Sequence, residues 1–388
     1  MIYKLSELFD LQMGKTPSRN NASYWNSKEN KWISIGDLSK CDIYISDTKE
    51  YISNLAVLES GIKLIPKNTV IMSFKLSIGK AAITAEDMYS NEAIMAFLDK
   101  NIAPILPEYL CYMFNYMNWE VGTNKAVLGK TLNKATLSEI KIKIHGLNEQ
   151  KIIIKKLNKL KQTISARNKQ LKLYDKLVKS LFVEMFGDTV INPLGWEEHK
   201  LEEYIDFLTS GSRGWAKYFV NEENELFLTI KNVKNNKIVL DDIQYIKAPK
   251  NKEAERTKVK CGDLLISITA DLGRTGVIDK DISSRGAYIN QHLSLVRLDQ
   301  NRINPQYISY YLEADAGKRQ FCSKNQNGVK AGLNFDAIKS LNIIVPPIEL
   351  QDDFVKNIYF IDKHKSVVQK SLDETQILFD SLMQKYFG

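Results

Sequence analysis

The stretch that decides the fold is QKIIIKKLNKLKQTISARNKQLKLYDKLVKSLFVEMFG, residues 150–187. Its apolar residues recur at alternating steps of three and four residues, a pattern typical of a helix whose narrow apolar seam packs along another helix. The seam positions that we predict are Leu157, Leu160, Ile164, Leu171, Val178 and Leu181. A helix of this length measures about 55 Å, which is too long for the core of a compact domain and indicates a spacer.

A second copy of this pattern ends the sequence. A shift of 201 residues, from Gln150 to Gln351, aligns the two stretches and reproduces the seam. The seam positions of the second stretch are Ile358, Ile361, Val368, Leu372, Phe379 and Leu382. Both stretches close on Phe-Gly, at Gly187 and at Gly388, and a glycine fits the position just past a helix end. We therefore predict two long helices that pack against each other.

The two seams differ at two matched positions. Arg167 of the first stretch corresponds to Val368 of the second, and Ile164 corresponds to Lys365. Polar residues placed unequally in two seams can fix the register and the choice of partner. The first helix is rich in lysine, whereas the second also carries several acidic residues. These charges fit a solvated helix face, complementary pairing between the helices, or a surface for other subunits.

The repeat extends beyond the helices and covers nearly the whole sequence. LSELFD at residues 5–10 matches LEEYID at residues 201–206, and each is followed by a turn rich in Gly, Ser and Thr. VIMS at residues 70–73 matches LLIS at residues 264–267, and both indicate buried strands. The order is therefore β/α domain, long helix, β/α domain, long helix. The predicted segments are 1–146, 147–187, 188–345 and 346–388.

Size and composition are compatible with two core-bearing domains in a cytoplasmic protein. The chain has 388 residues, 44% of them hydrophobic and 26% charged, and a net charge of +8, which is compatible with a polyanionic partner. It contains no apolar run of the ~18 residues that would span a bilayer, and no signal-peptide core at its start. The four cysteines form no CxxC pair, so we expect free thiols and no zinc site.

The motifs of catalysis are missing from the sequence. It has no Walker-type phosphate loop, no GxGxxG turn that opens a helix and no GxSxG elbow. The histidines stand apart from one another, so no metal cluster is indicated. NPLG at residues 192–195 faintly resembles the Asn/Asp-Pro-Pro-aromatic motif of amino-methyltransferases, but it lacks the second proline and the aromatic, and indicates a turn. We predict a non-catalytic chain without a metal or cofactor of its own.

Several loops instead suit the binding of phosphates and bases. Backbone amides, hydroxyls and cations position a protein on a nucleic-acid backbone, while Arg, Lys, Asn and Gln can contact base edges. The candidates in the first domain are Lys15, Thr16, Ser18, Arg19, Lys75, Lys80, Lys130 and Asn133. Those in the second are Ser212, Arg213, Arg274, Lys330 and Asn334. A lone surface cation is more often solvated, and either asparagine can simply cap a turn. The loops recur at matching places with different side chains, however, which fits two binding domains with different targets.

These features together resemble the specificity (S) subunit of a Type I restriction–modification system. The resemblance rests on the tandem order of domains and helices, the opening LSELFD with GKTPSR at residues 14–19, and the linker from Phe186 to Trp196. PPIELQ at residues 346–351, which leads into the second helix, also matches. The first lead-in, HGLNEQ at residues 145–150, departs from the family by lacking the two prolines, and we expect a looser joint there.

The resemblance implies an α+β fold: two similar mixed β/α target-recognition domains in tandem, two long helices packed as an antiparallel coiled coil, and pseudo-twofold internal symmetry. It implies that each domain binds one half of a bipartite, asymmetric site in double-stranded DNA, and that the helices set the spacer and dock two methyltransferase (M) subunits. Restriction (R) subunits would join them. S-adenosylmethionine, ATP and Mg²⁺ would then belong to those partners, and the target adenine would be flipped into an M subunit.

Three other interpretations remain open on the sequence alone. The chain could be an enzyme in itself, such as a fused nuclease–methyltransferase, although the methyltransferase motifs are missing. It could be a duplicated module that binds protein or carbohydrate, spaced by a coiled coil; DNA binding that weakens steeply with salt would separate these two cases. It could also be the specificity subunit of a related system that is not Type I.

Overall fold

The computed structural model describes residues 1–75, 78–119, 132–324 and 332–388. The chain forms two compact units: the first contains Met1–Lys169 and Gln369–Gly388, and the second contains Gln170–Val368. Each unit therefore combines a β/α domain with one half of each long helix. The predicted boundaries at 146, 187 and 345 stay a prediction, because they separate domains from helices whereas the compact units divide both helices.

The first unit, with the long helix that runs on from it, contains the following elements. Its strands are β1 (Ile2–Lys4), β2 (Phe9–Met13), β3 (Asn30–Ile33), β4 (Tyr44–Ile45), β5 (Glu50–Ile52), β6 (Val70–Ser73), β7 (Ala81–Thr84), β8 (Tyr89–Ser90), β9 (Ile94–Asp99) and β10 (Lys141–Lys143). Its helices are α1 (Leu5–Leu8), α2 (Ile35–Lys40), α3 (Asn54–Ser60), α4 (Pro107–Tyr116), α5 (Lys134–Glu139) and α6 (Leu147–Phe186), with a 3₁₀ turn at Ala22–Tyr24.

The second half of the chain repeats this order. Its strands are β11 (Glu198–Lys200), β12 (Ile205–Ser210), β13 (Phe219–Val220), β14 (Glu225–Leu228), β15 (Val233–Lys234), β16 (Asn236–Ile238), β17 (Gln244–Ile246), β18 (Leu264–Ser267), β19 (Thr275–Val277), β20 (Ala287–Ile289), β21 (Leu293–Leu298) and β22 (Asn342–Ile344). Its helices are α7 (Lys252–Thr257), α8 (Lys280–Arg285), α9 (Pro305–Glu313), α10 (Asp315–Lys324), α11 (Phe335–Lys339) and α12 (Ile348–Phe387). Short 3₁₀ helices cover Leu201–Tyr204, Trp215–Tyr218 and Ile230–Asn232.

The sheets of the two domains share one order of strands, to which the second domain adds β15 at the edge of its main sheet and β13 at the edge of its smaller sheet. In the first, the order β2-β9-β6-β7-β4 forms the main sheet, β5-β3-β8 a smaller one, and β1 pairs with β10. In the second, the order β12-β21-β18-β19-β16-β15 forms the main sheet, β13-β17-β14-β20 the smaller one, and β11 pairs with β22. The central strands β6 and β18, which the sequence predicted, are buried at every position. The predicted mixed β/α architecture in two copies is confirmed.

Each domain core is closed by the far end of a long helix. In the first unit, Met383 of α12 lies in the main core beside Leu157 of α6, and Phe379 packs against that core. In the second unit, Phe182 and Phe186 of α6 occupy the matching place. These apolar side chains explain why the predicted helices form at all, since a helix of this length gains most of its stability from burying one face.

The two long helices run antiparallel within each unit. In the first unit, Lys156 contacts Tyr386 (Nζ–Oη 3.5 Å), and Arg167 donates to the carbonyl of Ser371 at 2.5 Å. In the second unit, the Lys365 ammonium lies 2.5 Å from the Asp175 carboxylate. All twelve predicted seam residues are buried or half-buried: Leu157, Leu160, Ile164, Leu171, Val178, Leu181, Ile358, Ile361, Val368, Leu372, Phe379 and Leu382. The predicted packing of the helices is therefore present, and the unequal polar seam residues Arg167 and Lys365 each bind the opposite helix.

A buried glutamine ties each long helix to its domain. Gln150 Nε2 donates to the carbonyls of Pro104 at 2.8 Å and His145 at 2.9 Å, and Gln150 Oε1 accepts from the Leu106 amide at 2.9 Å. The matching Gln351 accepts from the Asn304 amide at 2.9 Å and donates to the carbonyl of Pro346 at 2.7 Å. The first joint is therefore as firmly hydrogen-bonded as the second, and the expectation of a looser joint was wrong.

Replacing Gln150 by Met should destabilise the first unit by about 3 kcal/mol. The two side chains are similar in size, but Met leaves three backbone groups without their partner in a site that excludes water, and each such group costs roughly 1 kcal/mol or more. Urea unfolding followed by circular dichroism measures the change. Gln162→Met, at an exposed position of α6, is the matched control and should stay within about 0.5 kcal/mol of the parent. Equal stabilities of the two variants would contradict the role of this joint.

In the part of the chain that the structure describes, no helix combines the length and apolar character that crossing a membrane requires.

Candidate nucleic-acid interface

The register of the main sheet gathers the candidate loops at one end of each domain. In the first domain, Met13 pairs with Met95, and Ser73 pairs with Ile94. The turn at residues 14–19, the loop that precedes Lys80 and the segment before β9 therefore meet at the same sheet end. The sequence did not predict this convergence, because it depends on which strands pair.

The second domain gathers its loops in the same way. Ser210 pairs with Ser294, and Ser267 pairs with Leu293. The turn that contains Ser212 and Arg213 thus lies beside the loop that leads to Arg274. The loop before α11 joins them, because the Leu333 amide donates to the carbonyl of Ile268 at 3.0 Å.

A glycine pins each turn to the segment that precedes the last strand of the sheet. Gly14 donates to the carbonyl of Ile94 at 3.1 Å, and a Cβ on Gly14 would overlap the carbonyl oxygens of Ser90 and Asn91. Gly211 donates to the carbonyl of Leu293 at 3.1 Å and is hemmed in equally. Only glycine allows this approach, so the glycines of the two turns have a packing reason that does not depend on what the turns bind.

The cations of the first turn already have partners within the domain. Lys15 Nζ donates to the carbonyl of Ser60 at 2.5 Å. Both terminal nitrogens of Arg19 donate to the Glu50 carboxylate, while the guanidinium lies 3.7 Å from the ring centre of Trp25. This arrangement holds a planar, exposed cation in one orientation, and its two terminal nitrogens would have to release Glu50 before they could bind a phosphate or a guanine edge in a bidentate way.

The hydroxyl of Thr16 binds an acidic residue. Thr16 Oγ1 donates to Glu92, and this hydrogen bond is the main reason that the pKa of Glu92 lies below its ordinary value. Ser18 is exposed in the same turn, and its carbonyl accepts from the Trp25 indole at 3.0 Å. The first turn therefore presents donors and a carboxylate side by side.

The second turn is organised by an arginine that sequence reasoning missed. Arg256 of α7 donates to Thr209, to the carbonyl of Ser210 at 2.8 Å and to Ser212 Oγ at 3.0 Å. Ser212 is buried by this contact, whereas Arg213 is exposed. No motif marks Arg256, since it approaches from a helix more than forty residues away.

The equivalent connection in the first domain is the one from Lys15 to the last residue of α3, Ser60.

The loops after the central strands are shaped by a glycine on an aromatic ring. Gly79 and Gly273 have φ values of 90° and 78°, and a Cβ on either would overlap Trp119 or Phe321 respectively. The basic residue that follows each glycine turns back onto its own domain. Lys80 Nζ donates to the carbonyl of Cys41 at 3.1 Å, and Arg274 pairs with Asp271 at 2.8 Å. Lys75 lies 5.6 Å from the ring centre of Phe74.

Both candidate asparagines act as helix N-caps. Asn133 Oδ1 accepts from the Thr136 amide at 2.9 Å at the start of α5, and Asn334 Oδ1 accepts from the Ala337 amide at 2.8 Å at the start of α11. This is the turn-capping alternative, and DNA contact by either residue stays a prediction. Lys130 and Lys330 lie outside the described residues.

The described residues contain no group of three or more His, Cys, Asp or Glu side chains arranged to hold a metal ion. DNA contact by the individual loop residues stays a prediction throughout.

Replacing Thr16 by Val should raise the pKa of Glu92 toward the ordinary value of 4.5. The hydroxyl donates more strongly to the ionised carboxylate than to the neutral acid, so its loss favours the protonated form. The hydrogen bond stabilises the fold above the ordinary pKa, and this contribution is lost as the pH falls through the lowered pKa. Carbon-13 NMR titration of the Glu92 carboxyl measures the shift. Ser18→Ala is the control, and a Glu92 pKa that moves equally in both variants would contradict this assignment.

Comparison with known proteins gives one consistent family. The sequence profile of the Type I restriction modification DNA specificity domain matches residues 1–173 and 193–372. The MjaIX specificity subunit of Methanocaldococcus jannaschii is 27% identical over 53% of this chain, and the chain spans only 46% of that subunit's length. The putative MjaX specificity subunit of the same organism is 24% identical over 86% of this chain and 82% of its own length.

The fold is similar to that of a solved protein. The S subunit of a Type I restriction–modification system from M. genitalium has a TM-score of 0.59, covers 100% of this chain and 96% of its own, and is 13% identical. At this identity the likeness concerns the fold alone.

Proposed function

Because the chain belongs to the family of Type I restriction–modification DNA specificity domains, we propose that it is the DNA-recognition subunit of such a system. Each domain binds one half of a bipartite, asymmetric site in double-stranded DNA. The chain itself catalyses no reaction.

One observation carries this proposal: two domains whose sheets share a common core of strands in the same order present matching loops that differ in their side chains. Arg19 is held by Glu50 and Trp25 in the first domain, whereas the second turn exposes Arg213 above a buried Ser212. A protein that binds two different half-sites needs one architecture with unequal contact residues, because base contacts and not backbone contacts carry sequence information. The net charge of +8 suits a polyanionic partner better than it suits a module for protein or carbohydrate.

The long helices set the unread spacer between the half-sites. α6 and α12 each run without interruption through 40 residues, which corresponds to about 60 Å of helix. The buried glutamines at their starts and the cores at their far ends tie each domain to both helices. A change in helix length therefore has to change the distance that the domains span.

The chemistry belongs to partner subunits. Two M subunits dock on the helices and supply S-adenosylmethionine and adenine-N6 methylation, while R subunits cut unmethylated DNA with ATP and Mg²⁺. The lysine-rich exposed face of α6 and the exposed Leu173 and Leu177 offer these partners charge and apolar area. A host in which this chain supports methylation without cleavage would indicate a related system that only modifies DNA.

Lengthening both helices together should lengthen the spacer. We would insert one seam heptad between Lys169 and Gln170 and another between Val368 and Gln369, where the compact units divide. Seven residues add about 10.5 Å, or roughly three base pairs of B-DNA, while the half-sites stay the same. Single-molecule methylome sequencing of a host that carries the variant measures both quantities.

The matched control is the same heptad inserted between Asn221 and Glu222, in an exposed bend of the second domain. This variant should keep the parental spacer. An unchanged spacer after the paired helix insertion, or altered half-sites, would contradict the assignment of the helices.

A further inference from the structure

The joints between the domains and the long helices carry ion pairs of opposite polarity. In the first unit, Lys161 of α6 pairs with Asp42 of the domain. In the second unit, Asp362 of α12 pairs with Lys237 of the domain, at 2.5 Å between Nζ and Oδ1. The cation is on the helix in one unit and on the domain in the other.

The two helix positions are equivalent. Lys161 and Asp362 are related by the same 201-residue shift that aligns the two seams. Their partners come from neighbouring positions of matched strands, since Lys237 of β16 corresponds to Tyr44 of β4 and Asp42 lies two residues before Tyr44. β4 and β16 each pair in parallel with the strand that leaves the central hairpin, β7 and β19 respectively. The reversal therefore affects one contact of the shared architecture and does not arise from two unrelated surface pairs.

The residues around the two ion pairs make different contacts between helix and domain. At the first joint, Tyr112 donates to Asn158 at 2.6 Å, and Asn158 donates to Glu108 at 3.1 Å, so the helix is tied to α4 by a polar chain. At the second joint, Tyr359 stands in the place of Asn158 and is 65% exposed. The hydrogen bonds that Asn158 makes at the first joint therefore have no counterpart in Tyr359.

The second joint uses other contacts. Tyr310, the counterpart of Tyr112, packs edge-on against Phe354 at 5.2 Å between ring centres. Lys365 lies one turn beyond Asp362 and binds Asp175 of α6, whereas the first unit has the apolar Ile164 at the matching position. Each joint thus suits its own domain in charge and in packing.

We infer that the charge-reversed pairs Asp42–Lys161 and Lys237–Asp362 determine which domain packs against which pair of helix ends. We call each such pair of helix ends a seat: the first seat contains Lys161 of α6, and the second contains Asp362 of α12. In the observed arrangement both contacts attract. With the domains transposed, Lys237 would face Lys161 and Asp42 would face Asp362, so that both contacts would repel. Specificity between two similar partners requires such a repulsive alternative, because the attraction of one exposed ion pair is small. This inference concerns folding of the chain and does not depend on what DNA sequence it binds.

A charge-reversal cycle on the full chain tests the inference. Asp42→Lys and Lys161→Asp each create a like-charge contact, and the double variant restores an attractive pair with reversed polarity. Amide hydrogen exchange of α4, which lies at this joint, should be about fivefold faster in each single variant and within about twofold of the parent in the double variant. The same cycle with Lys237→Asp and Asp362→Lys should act on α9 in the second unit.

The control is the ion pair between Lys4 and Glu139, which joins β1 to the end of α5 within the first domain and includes no residue of α4 or of the long helices. Reversing it should leave exchange of α4 unchanged. If a single reversal fails to fold, the neutral variants Asp42→Asn and Lys161→Gln take its place, with about a twofold effect for each. Exchange rates that do not respond to the single changes, or a double variant no slower than its singles, would overturn the inference.

A transposed chain gives a second test. Placing a copy of the second domain on the first seat brings its Lys237 against Lys161, and we expect the α9 of that copy to exchange faster than in its own seat. Adding Lys161→Asp should slow that exchange by about fivefold. Absence of this rescue would contradict seat selection by charge, whatever DNA the chain binds.

Discussion

Closure of each domain core by the far end of a long helix is the interaction on which the rest of the structure depends. Met383 and Phe379 complete the first core from α12, although about two hundred residues separate them from the seam residues of α6 that they meet. Phe182 and Phe186 do the same for the second core from α6. Each fully buried side chain of this size contributes roughly 1.5–3 kcal/mol, so a domain cannot leave its helices without losing part of its own core. The helix ends and the domain of each unit therefore share one hydrophobic core.

The positions of the candidate loops depend on this shared core, because the loops extend from strands that the core holds in register. Gly14 and Gly211 bring their turns against the segments before β9 and β21, and this contact places the cations at the end of the sheet. The cations are held by partners within the domain, as Arg19 is by Glu50. Glu50 occupies the guanidinium of Arg19, so an anion that bound there would have to replace this carboxylate with equally good geometry.

The periodic and repeated features could be predicted from the sequence. The seam of Leu157 and its successors has a period that only a long packed helix satisfies, and the match of Val70–Ser73 to Leu264–Ser267 shows that one strand pattern is used twice. The contacts that join distant segments could not be predicted in this way. Arg256, Gln150 and the pair of Asp42 with Lys161 have no local signal, because their roles arise only when strand pairing brings their partners close. Asn133 and Asn334 show the opposite case, because their capping contacts are local and capping was one of the two roles that the sequence left open.

We propose that two unequal domains bind the two halves of a DNA site and that the paired helices set the unread gap between these halves. Methylome sequencing of a host with this chain and of the same host with the chain deleted tests it most directly. The account predicts a methylated adenine motif of two different specified halves, separated by a gap of constant length, that disappears on deletion. A motif that persists after deletion, or one that is continuous or has two identical halves, would contradict it.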